Sequence, residues 1–137
     1  MNPIGLFDPS MNLLGKALDL RAANERIISS NIANAETPGY TPARFEFEQE
    51  LRQAVSRTAS PLATTQPAHI PTGNAGLESV TGTVIKTPDK TGIGDKNGVK
   101  VDQEMIALSK NELMYESAAQ ILQKKITLLG YVIQGGQ

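Results

Sequence analysis

Near its C-terminus the chain repeats apolar residues at alternating steps of four and three, from Val101 to Ile133. These steps are the a and d positions of a heptad repeat, and no proline interrupts them. Only Glu112 breaks the apolar series. The pattern predicts a long amphipathic helix that packs against a helical partner, with the stripe Val101, Met105, Leu108, Glu112, Tyr115, Ala119, Leu122, Ile126, Leu129 and Ile133.

A second heptad pattern occupies the N-terminal part of the chain. Asp8 can cap the free amide groups of a helix, and Pro9 suits the first helical position because its missing N–H is not needed there. Thr37 precedes Pro38 and is therefore pushed out of the α region. We predict a helix of about 27 residues that ends by Glu36. Its stripe consists of Phe7, Met11, Leu14, Leu18, Arg21, Glu25, Ile28, Ile32 and Ala35.

Two polar residues, Arg21 and Glu25, stand in the middle of this second stripe. One interpretation is a solvated patch with an ion pair four residues apart, worth a few tenths of a kcal/mol. The other is a polar mark that sets the register of a helical seam. The sequence leaves both interpretations open.

The first helix is followed by a turn and a shorter helix. Pro38 and Gly39 fit the two central positions of a type II turn, in which glycine supplies the positive φ. Acidic residues then begin a segment, Phe45–Val55, that we predict to be helical because acidic side chains favour the first turn of a helix. One face of this helix would carry Phe47, Leu51, Ala54 and Val55.

Residues 57–100 are rich in proline, glycine, threonine and serine, which excludes helix for most of the segment. Within it, Leu77–Lys86 has the composition of a small hairpin that turns at Gly82. For the helix that follows, Asp102 is the predicted cap, and a hydrophobic staple would join Val101 to Ile106. We therefore predict a helical domain of residues 1–56 and 101–137, with residues 57–100 as an extended or loop segment.

The composition excludes several classes of protein. The 137-residue chain has 39 % apolar and 4 % aromatic residues, so a conventional core would be thin. Its net charge of −1 gives no electrostatic reason to bind nucleic acid or an anionic membrane. There is no cysteine, hence no disulfide and no thiolate chemistry. We expect neither a cleaved secretory signal nor a membrane-spanning helix.

Signatures of catalysis and ligand binding also fail. His69 is the single histidine and has no second ligand near it in the sequence. The string that begins at Asp95 invites an EF-hand interpretation, but Val99 and Ile106 occupy positions where oxygen ligands belong. Gly92 and Gly94 lack the third glycine of a dinucleotide fingerprint. We predict no catalytic residues, no cofactor, no metal and no small-molecule substrate.

One continuous segment resembles a known family. Residues 29–40, here called the signature segment, read Ser-Ser-Asn-Ile-Ala-Asn-Ala-Glu-Thr-Pro-Gly-Tyr. They resemble the N-terminal signature of axial proteins of the bacterial flagellum. The stretches Leu18–Arg26, Ala43–Glu48 and Val101–Lys125 are similar to the proximal rod protein B family in particular. The resemblance assigns a signature role to Asn31, Ile32, Ala33, Asn34, Thr37, Pro38, Gly39 and Tyr40.

The resemblance implies a function, a location and partners. The family forms the proximal rod in the periplasm and is exported by the flagellar type III apparatus without a cleaved signal. The implied partners are copies of the chain itself, other rod proteins and the adaptor between the membrane ring and the rod. The rod transmits torque from the membrane ring to the hook.

The apolar patterns offer a physical reason for polymerisation. We predict a mainly α fold in which the long terminal helices pair as a coiled coil, beside a short helix and a hairpin-like middle segment. The last helix has a second apolar line, comprising Ile106, Leu113, Ile121, Leu128 and Val132, and one partner helix cannot cover both lines. Leaving several such side chains in water forfeits on the order of 5–10 kcal/mol that neighbouring subunits could recover.

Two alternatives to polymerisation remain at this stage. The short helix and the loop segment could cover the second line within one chain. A soluble helical adaptor or export chaperone that binds a partner helix would also need such a surface. The predicted packing residues are Met11, Leu14, Leu18, Ile28, Ile32, Met105, Leu108, Tyr115, Leu122, Ile126, Leu129 and Ile133.

Overall fold

The computed structural model describes residues 9–59, 76–88 and 97–135. Two long helices lie antiparallel and carry a small two-stranded sheet and a short helix on one side. The prediction of a mainly helical fold with paired terminal helices is therefore confirmed. In chain order the elements are α1 (Pro9–Ala33), β1 (Ala43–Glu46), α2 (Glu48–Ala59), a 3-10 helix (Leu77–Ser79), β2 (Thr83–Lys86) and α3 (Val101–Ile133).

α1 ends three residues earlier than the predicted limit of Glu36. Its last turn tightens, because the amide of Asn34 is shared between two carbonyls and that of Ala35 bonds to Ile32 at 3.1 Å, an i to i−3 contact. The chain then reverses at the predicted turn. Gly39 has a φ of 73°, and the Tyr40 amide donates to the Thr37 carbonyl over 3.2 Å, which confirms the type II turn. The predicted cap Asp8 lies outside the described residues.

The predicted helix Phe45–Val55 is wrong at its beginning. Phe45 belongs to strand β1, and helix α2 begins only at Glu48. β1 pairs with β2 in antiparallel register, with Ala43 opposite Lys86. Local composition could not predict this strand, because its stability comes from a partner strand about forty residues away.

The predicted hairpin Leu77–Lys86 is also wrong. Its first half forms the 3-10 helix, and its second half, β2, pairs with β1. The turn at Gly82 exists, with a φ of 69°. Both oxygens of Glu50 accept hydrogen bonds there, from the amides of Thr81 at 3.4 Å and Gly82 at 3.0 Å. α2 therefore holds this turn by its carboxylate.

A small core lies between α1, α2 and the 3-10 helix. Its four buried members are Leu20, Phe47, Ala54 and Val80. Phe47 and Ala54 belong to the face predicted for the short helix, but they pack within this chain, against α1 and the 3-10 helix. Leu20 and Val80 were missed, because Leu20 stands outside the apolar stripe of α1 and Val80 follows a loop-like segment.

Arg21 belongs to the edge of this core. Its guanidinium lies 5.5 Å from the centroid of the Phe47 ring and 3.5 Å from the carboxylate of Glu48. The predicted ion pair with Glu25 is therefore wrong. The arginine instead contacts Phe47 and Glu48, at the junction between β1 and α2, which the sequence pattern did not place beside α1.

Three polar pairs join α1 to α3, and we call them the polar layers. Whole heptads separate them on both helices: Lys125 donates to Ser10 over 2.5 Å, Asn24 to Asn111 over 3.0 Å, and Asn31 to Glu104 over 3.1 Å. Asn111 is buried, and its amide also donates to the Arg21 carbonyl over 2.9 Å. A shift of one heptad would break all three pairs together with the bond from Asn111 to the Arg21 carbonyl, so the layers fix the antiparallel register.

The observed seam differs from the predicted stripes. On α3, Leu108, Leu122 and Leu129 stay half-buried, and Glu104, Asn111 and Lys125 face α1 in place of the residue that follows each of them. On α1, Asn24 and Asn31 likewise face α3, although Met11 of the predicted stripe stays buried. Asn24 and Asn111 thus stand where Glu25 and Glu112 were predicted. Hence the seam prediction is wrong for Met105, Ile126 and Ile133, whose side chains are all at least half exposed.

The structure defines how α3 begins and how it ends. The helix begins at Val101 with Lys100 as its N-cap and without a side-chain capping bond, so the predicted cap at Asp102 is wrong. At the other end, Gln134 caps the helix and Gly135 has a φ of 80°, the usual way for a helix to stop. None of the helices in the described part of the chain combines the length and the hydropathy needed to cross a bilayer.

Substitution of Gly82 tests the close packing of the Gly82 turn against Phe45 and Phe47. A Cβ added there would overlap the Phe45 ring and lie 3.1 Å from the Phe47 Cβ, at a positive φ. We expect Gly82→Ala to lower the free energy of unfolding by about 2–4 kcal/mol. Gly76→Ala is the matched control, because its φ is −67° and a Cβ meets nothing within 4 Å. Equal urea midpoints for both variants would contradict the close approach of Phe45.

Candidate functional site

The signature segment is centred on Asn31, whose side chain is 1 % exposed. Its amide group donates to the Ala43 carbonyl at 2.8 Å and to Glu104 at 3.1 Å. Its carbonyl oxygen accepts from the Ala43 amide at 3.0 Å and from the Tyr40 hydroxyl at 3.2 Å. The two donors and two acceptor sites of a carboxamide are thus all used. One side chain therefore joins α1, the turn, β1 and α3, and we call its hydrogen-bond network the polar junction.

Asn31 also protects an edge of the sheet. The Thr87 amide donates to the Pro42 carbonyl over 3.3 Å. Because hydrogen-bonded pairs alternate along an antiparallel ladder, the backbone groups of Ala43 point away from β2. Both of these groups bond to the Asn31 side chain, which takes the place of a neighbouring strand. An occupied edge is closed to pairing with other chains.

Other signature residues hold the turn together. The Tyr40 and Ser30 hydroxyls lie 3.3 Å apart. Asn34 donates to the Ser30 carbonyl over 2.8 Å and accepts from the Thr37 hydroxyl over 3.2 Å. Ile32, Asn34 and Tyr40 are half-buried, whereas Ala33, Thr37, Pro38 and Gly39 are exposed. The signature segment therefore has a polar inner side and a solvent-facing outer side.

Asn97 ties the approach to α3 to the same turn. Its amide group donates to the carbonyls of Asn34 and Thr37, each over 3.1 Å, and also to that of Ala35. Its side-chain oxygen accepts from the Val99 amide over 3.0 Å. Carbonyls of the turn that follows α1 thereby gain a hydrogen bond from a segment about sixty residues away. Sequence analysis missed this role, because an asparagine beside a glycine is equally typical of an isolated turn.

The predicted packing residues fall into three groups. Met11 and Ile28 are buried, and the half-buried group comprises Leu14, Leu18, Ile32, Leu108, Leu122 and Leu129. The exposed group comprises Met105, Tyr115, Ile126 and Ile133. Sequence reasoning missed Asn24 and Asn111, although asparagines at heptad spacing within long helices were a usable signal for buried polar layers.

The second apolar line of α3 faces solvent. Its five members, Ile106, Leu113, Ile121, Leu128 and Val132, are 50–70 % exposed. Within the described part of the chain neither the short helix nor the described stretches of the loop segment cover this line, and the rest of the loop segment lies outside the described residues. In the described part of the chain, every large apolar residue that is exposed belongs to α3 or to β2. We call the exposed apolar side chains of α3 the outer surface of α3.

The described residues offer little chemistry. Among them, no group of three or more histidine, aspartate and glutamate residues could hold a metal ion. A groove of about 640 Å³ is bordered by Glu46, Glu48 and Glu50, but Glu48 pairs with Arg21 and Glu50 holds the Gly82 turn. His69 and Asp95 lie outside the described residues.

Comparison with known proteins identifies the class. Residues 11–41 match the family described as flagella basal body rod protein. This match covers most of α1 together with the signature segment, and so includes Asn31 and the turn. A paired-helix fold with a polar junction at this segment is thus that of a flagellar basal body rod protein.

Full-length relatives specify the family further. The chain is 32 % identical over 133 residues to the flagellar basal body rod protein FlgB of Aeromonas hydrophila, covering 96 % of this chain and 97 % of that protein. It is 31 % identical over 134 residues to FlgB of Salmonella typhimurium, covering 94 % and 96 %. FlgB of Bacillus subtilis is 26 % identical over 134 residues, covering 98 % and 100 %. The chain belongs to the FlgB family of structural proteins of the flagellar basal body rod.

Substitution of Asn31 tests the junction. Asn31→Ala leaves the Ala43 backbone groups without their partner and removes one of the two partners of the Tyr40 hydroxyl, so we expect the free energy of unfolding to fall by about 2–3 kcal/mol. Asn34→Ala is the matched control from the same segment, since its bonds are exposed, and should cost under about 1 kcal/mol. Urea denaturation followed by circular dichroism compares the two. A larger loss for Asn34 would refute the central role of Asn31.

Substitution of Gly39 tests the turn separately. A Cβ at this position meets nothing within 4 Å, so any cost reflects the positive φ alone. Gly39→Val should cost about 1–3 kcal/mol and reduce motility, whereas Gly39→Asn should be milder because asparagine tolerates the left-handed region. Unfolding and motility are compared at equal expression. If both variants behave alike, the turn acts through its side chains rather than its backbone.

Proposed function

We propose that this chain is a structural subunit of the proximal rod that polymerises through its terminal helices and transmits torque from the membrane ring to the hook. The observation that supports this most is the outer surface of α3, where apolar side chains remain 38–70 % exposed after α1 has packed. An exposed apolar surface of this length is typical of a binding interface.

The polar junction suits a part that carries mechanical load. Asn31 and Asn97 connect both long helices to the turn and the sheet by hydrogen bonds inside one subunit. A saturated polar network of this kind holds a single arrangement rather than several. Close-packed helices resist deformation, and stiffness is what transmission of torque requires.

The proposal includes location and partners. The chain acts in the periplasmic part of the basal body, after export through the type III apparatus without a cleaved signal peptide. Its partners are copies of itself, other rod proteins and the adaptor between the membrane ring and the rod. The role is structural and requires no enzymatic activity, cofactor, nucleic acid or small-molecule substrate.

Substitutions on α3 separate folding from assembly. Leu122 is half-buried beside α1, so Leu122→Asp should lower the free energy of unfolding by about 2–3 kcal/mol. Ile126 is 53 % exposed, so Ile126→Asp should change it by no more than about 0.5 kcal/mol and yet reduce motility and incorporation into basal bodies. Gln53→Asp, at an exposed polar position of α2 outside this surface, is the matched control and should leave both unchanged.

The same experiment separates a rod subunit from a helical adaptor or export chaperone. Folding is measured by urea denaturation, and the amount of chain in purified basal bodies by immunoblot. A rod subunit is found in basal bodies, whereas an adaptor or chaperone is absent from them and forms a small complex of fixed size. Normal motility and incorporation of Ile126→Asp would refute assembly through the outer surface of α3.

A further inference from the structure

Exposed residues of α3 lie on both sides of the seam with α1 and form a separate group on each side. The polar layers place Glu104, Asn111 and Lys125 towards α1. With 100° of rotation per residue, one side of the seam presents Met105, Glu112, Glu116, Ile126 and Ile133, which we call the acidic flank. The other side presents Lys110, Met114, Ile121, Lys124 and Leu128, which we call the basic flank.

Both flanks are apolar surfaces with charges beside them. On the basic flank, exposure rises along the helix away from the sheet, from 43 % at Met114 through 50 % at Ile121 to 63 % at Leu128. The acidic flank keeps Met105, Ile126 and Ile133 at least half exposed. The apolar side chains of each flank therefore remain available for contact beyond α1.

The charges of the two flanks are complementary and have no ion pair within the described part of the chain. On the acidic flank a groove of about 540 Å³ is bordered by Glu25 of α1 together with Glu112 and Glu116, and no cationic residue borders it. Three carboxylates in one groove repel each other, and an incoming ammonium group relieves that repulsion. On the opposite flank Lys124 lies beside Leu128 at a second groove, of about 590 Å³.

We propose that copies of this chain pack side by side by placing the basic flank of one α3 against the acidic flank of the next. This inference rests on the proposed rod function and assigns the surfaces by which one copy meets another. The contact uses different surfaces on its two sides, so a bound pair keeps one basic flank and one acidic flank free for further copies. Such a contact continues around a ring or along a helix, whereas a symmetric pair through one flank would place like charges together.

Two charge-reversed variants test the contact. The lysine-reversed variant carries Lys110→Glu and Lys124→Glu, and the glutamate-reversed variant carries Glu112→Lys and Glu116→Lys. In either variant alone, both flanks have the same sign and copies repel each other. In a mixture, each variant meets complementary flanks on the other, so assembly recovers. The control carries Arg52→Glu and Lys86→Glu, two reversals at exposed positions outside α3.

The measurement is the amount of chain in basal bodies purified from cells that lack the native gene and express each variant. Each reversed variant alone should be incorporated roughly tenfold less than the wild type. Their co-expression should restore about the wild-type level, and the control should match the wild type. Circular dichroism of the purified variants should show unchanged helix content, because all four reversed positions are exposed.

Three outcomes would overturn the inference. Wild-type incorporation of either reversed variant alone means that the flanks do not meet in the rod, and the proposed rod function still stands. Failure of co-expression to restore incorporation means that the charges act on a partner other than this chain. Absence of the wild-type chain from basal bodies refutes the proposed function and the contact together.

Discussion

The structure depends on one buried carboxamide. Asn31 uses its full hydrogen-bonding capacity to connect α1, the Tyr40 hydroxyl, the backbone of Ala43 and the carboxylate of Glu104. The end of α1, the turn and the start of β1 thereby meet α3, which lies 73 residues further along the chain at Glu104. Because an unpaired amide in such a site is costly, any rearrangement of these segments must break several bonds together. The junction acts as the fixed point from which both long helices extend.

In the pair of long helices, polar side chains lie in the contact while many apolar side chains face outward. The seam between α1 and α3 contains polar layers at heptad intervals, while much of the apolar surface of α3 faces outward. A polar layer lowers the stability of a seam but selects its register. A subunit built in this way pairs its own helices specifically and keeps its most apolar surface for contacts beyond the chain. This arrangement suits a protein whose function is to be part of an assembly.

The two-stranded sheet, α2 and the 3-10 helix beside α1 show how the middle of the chain acquires structure. β1 has four residues, and its only described partner strand follows about forty residues later. Glu50 holds the Gly82 turn, and Phe45 occupies the space that a side chain at Gly82 would need. These contacts connect residues from three separate segments, so no local window of the sequence contains enough of them to predict a strand.

The sequence by itself determined the two long helices, the end of α3 near Ile133, the type II turn at Pro38 and Gly39, and the family, because each depends on local periodicity, a local backbone preference or a contiguous motif. Tertiary structure alone decided which side of each helix is buried. Periodicity predicted burial of Met105 and Ile126, yet Glu104, Asn111 and Lys125 face α1 instead. The physical reason is that a polar side chain can be buried when another chain segment completes its hydrogen bonds. The spacing of apolar residues does not show whether a chain segment that completes these hydrogen bonds exists, or where it lies.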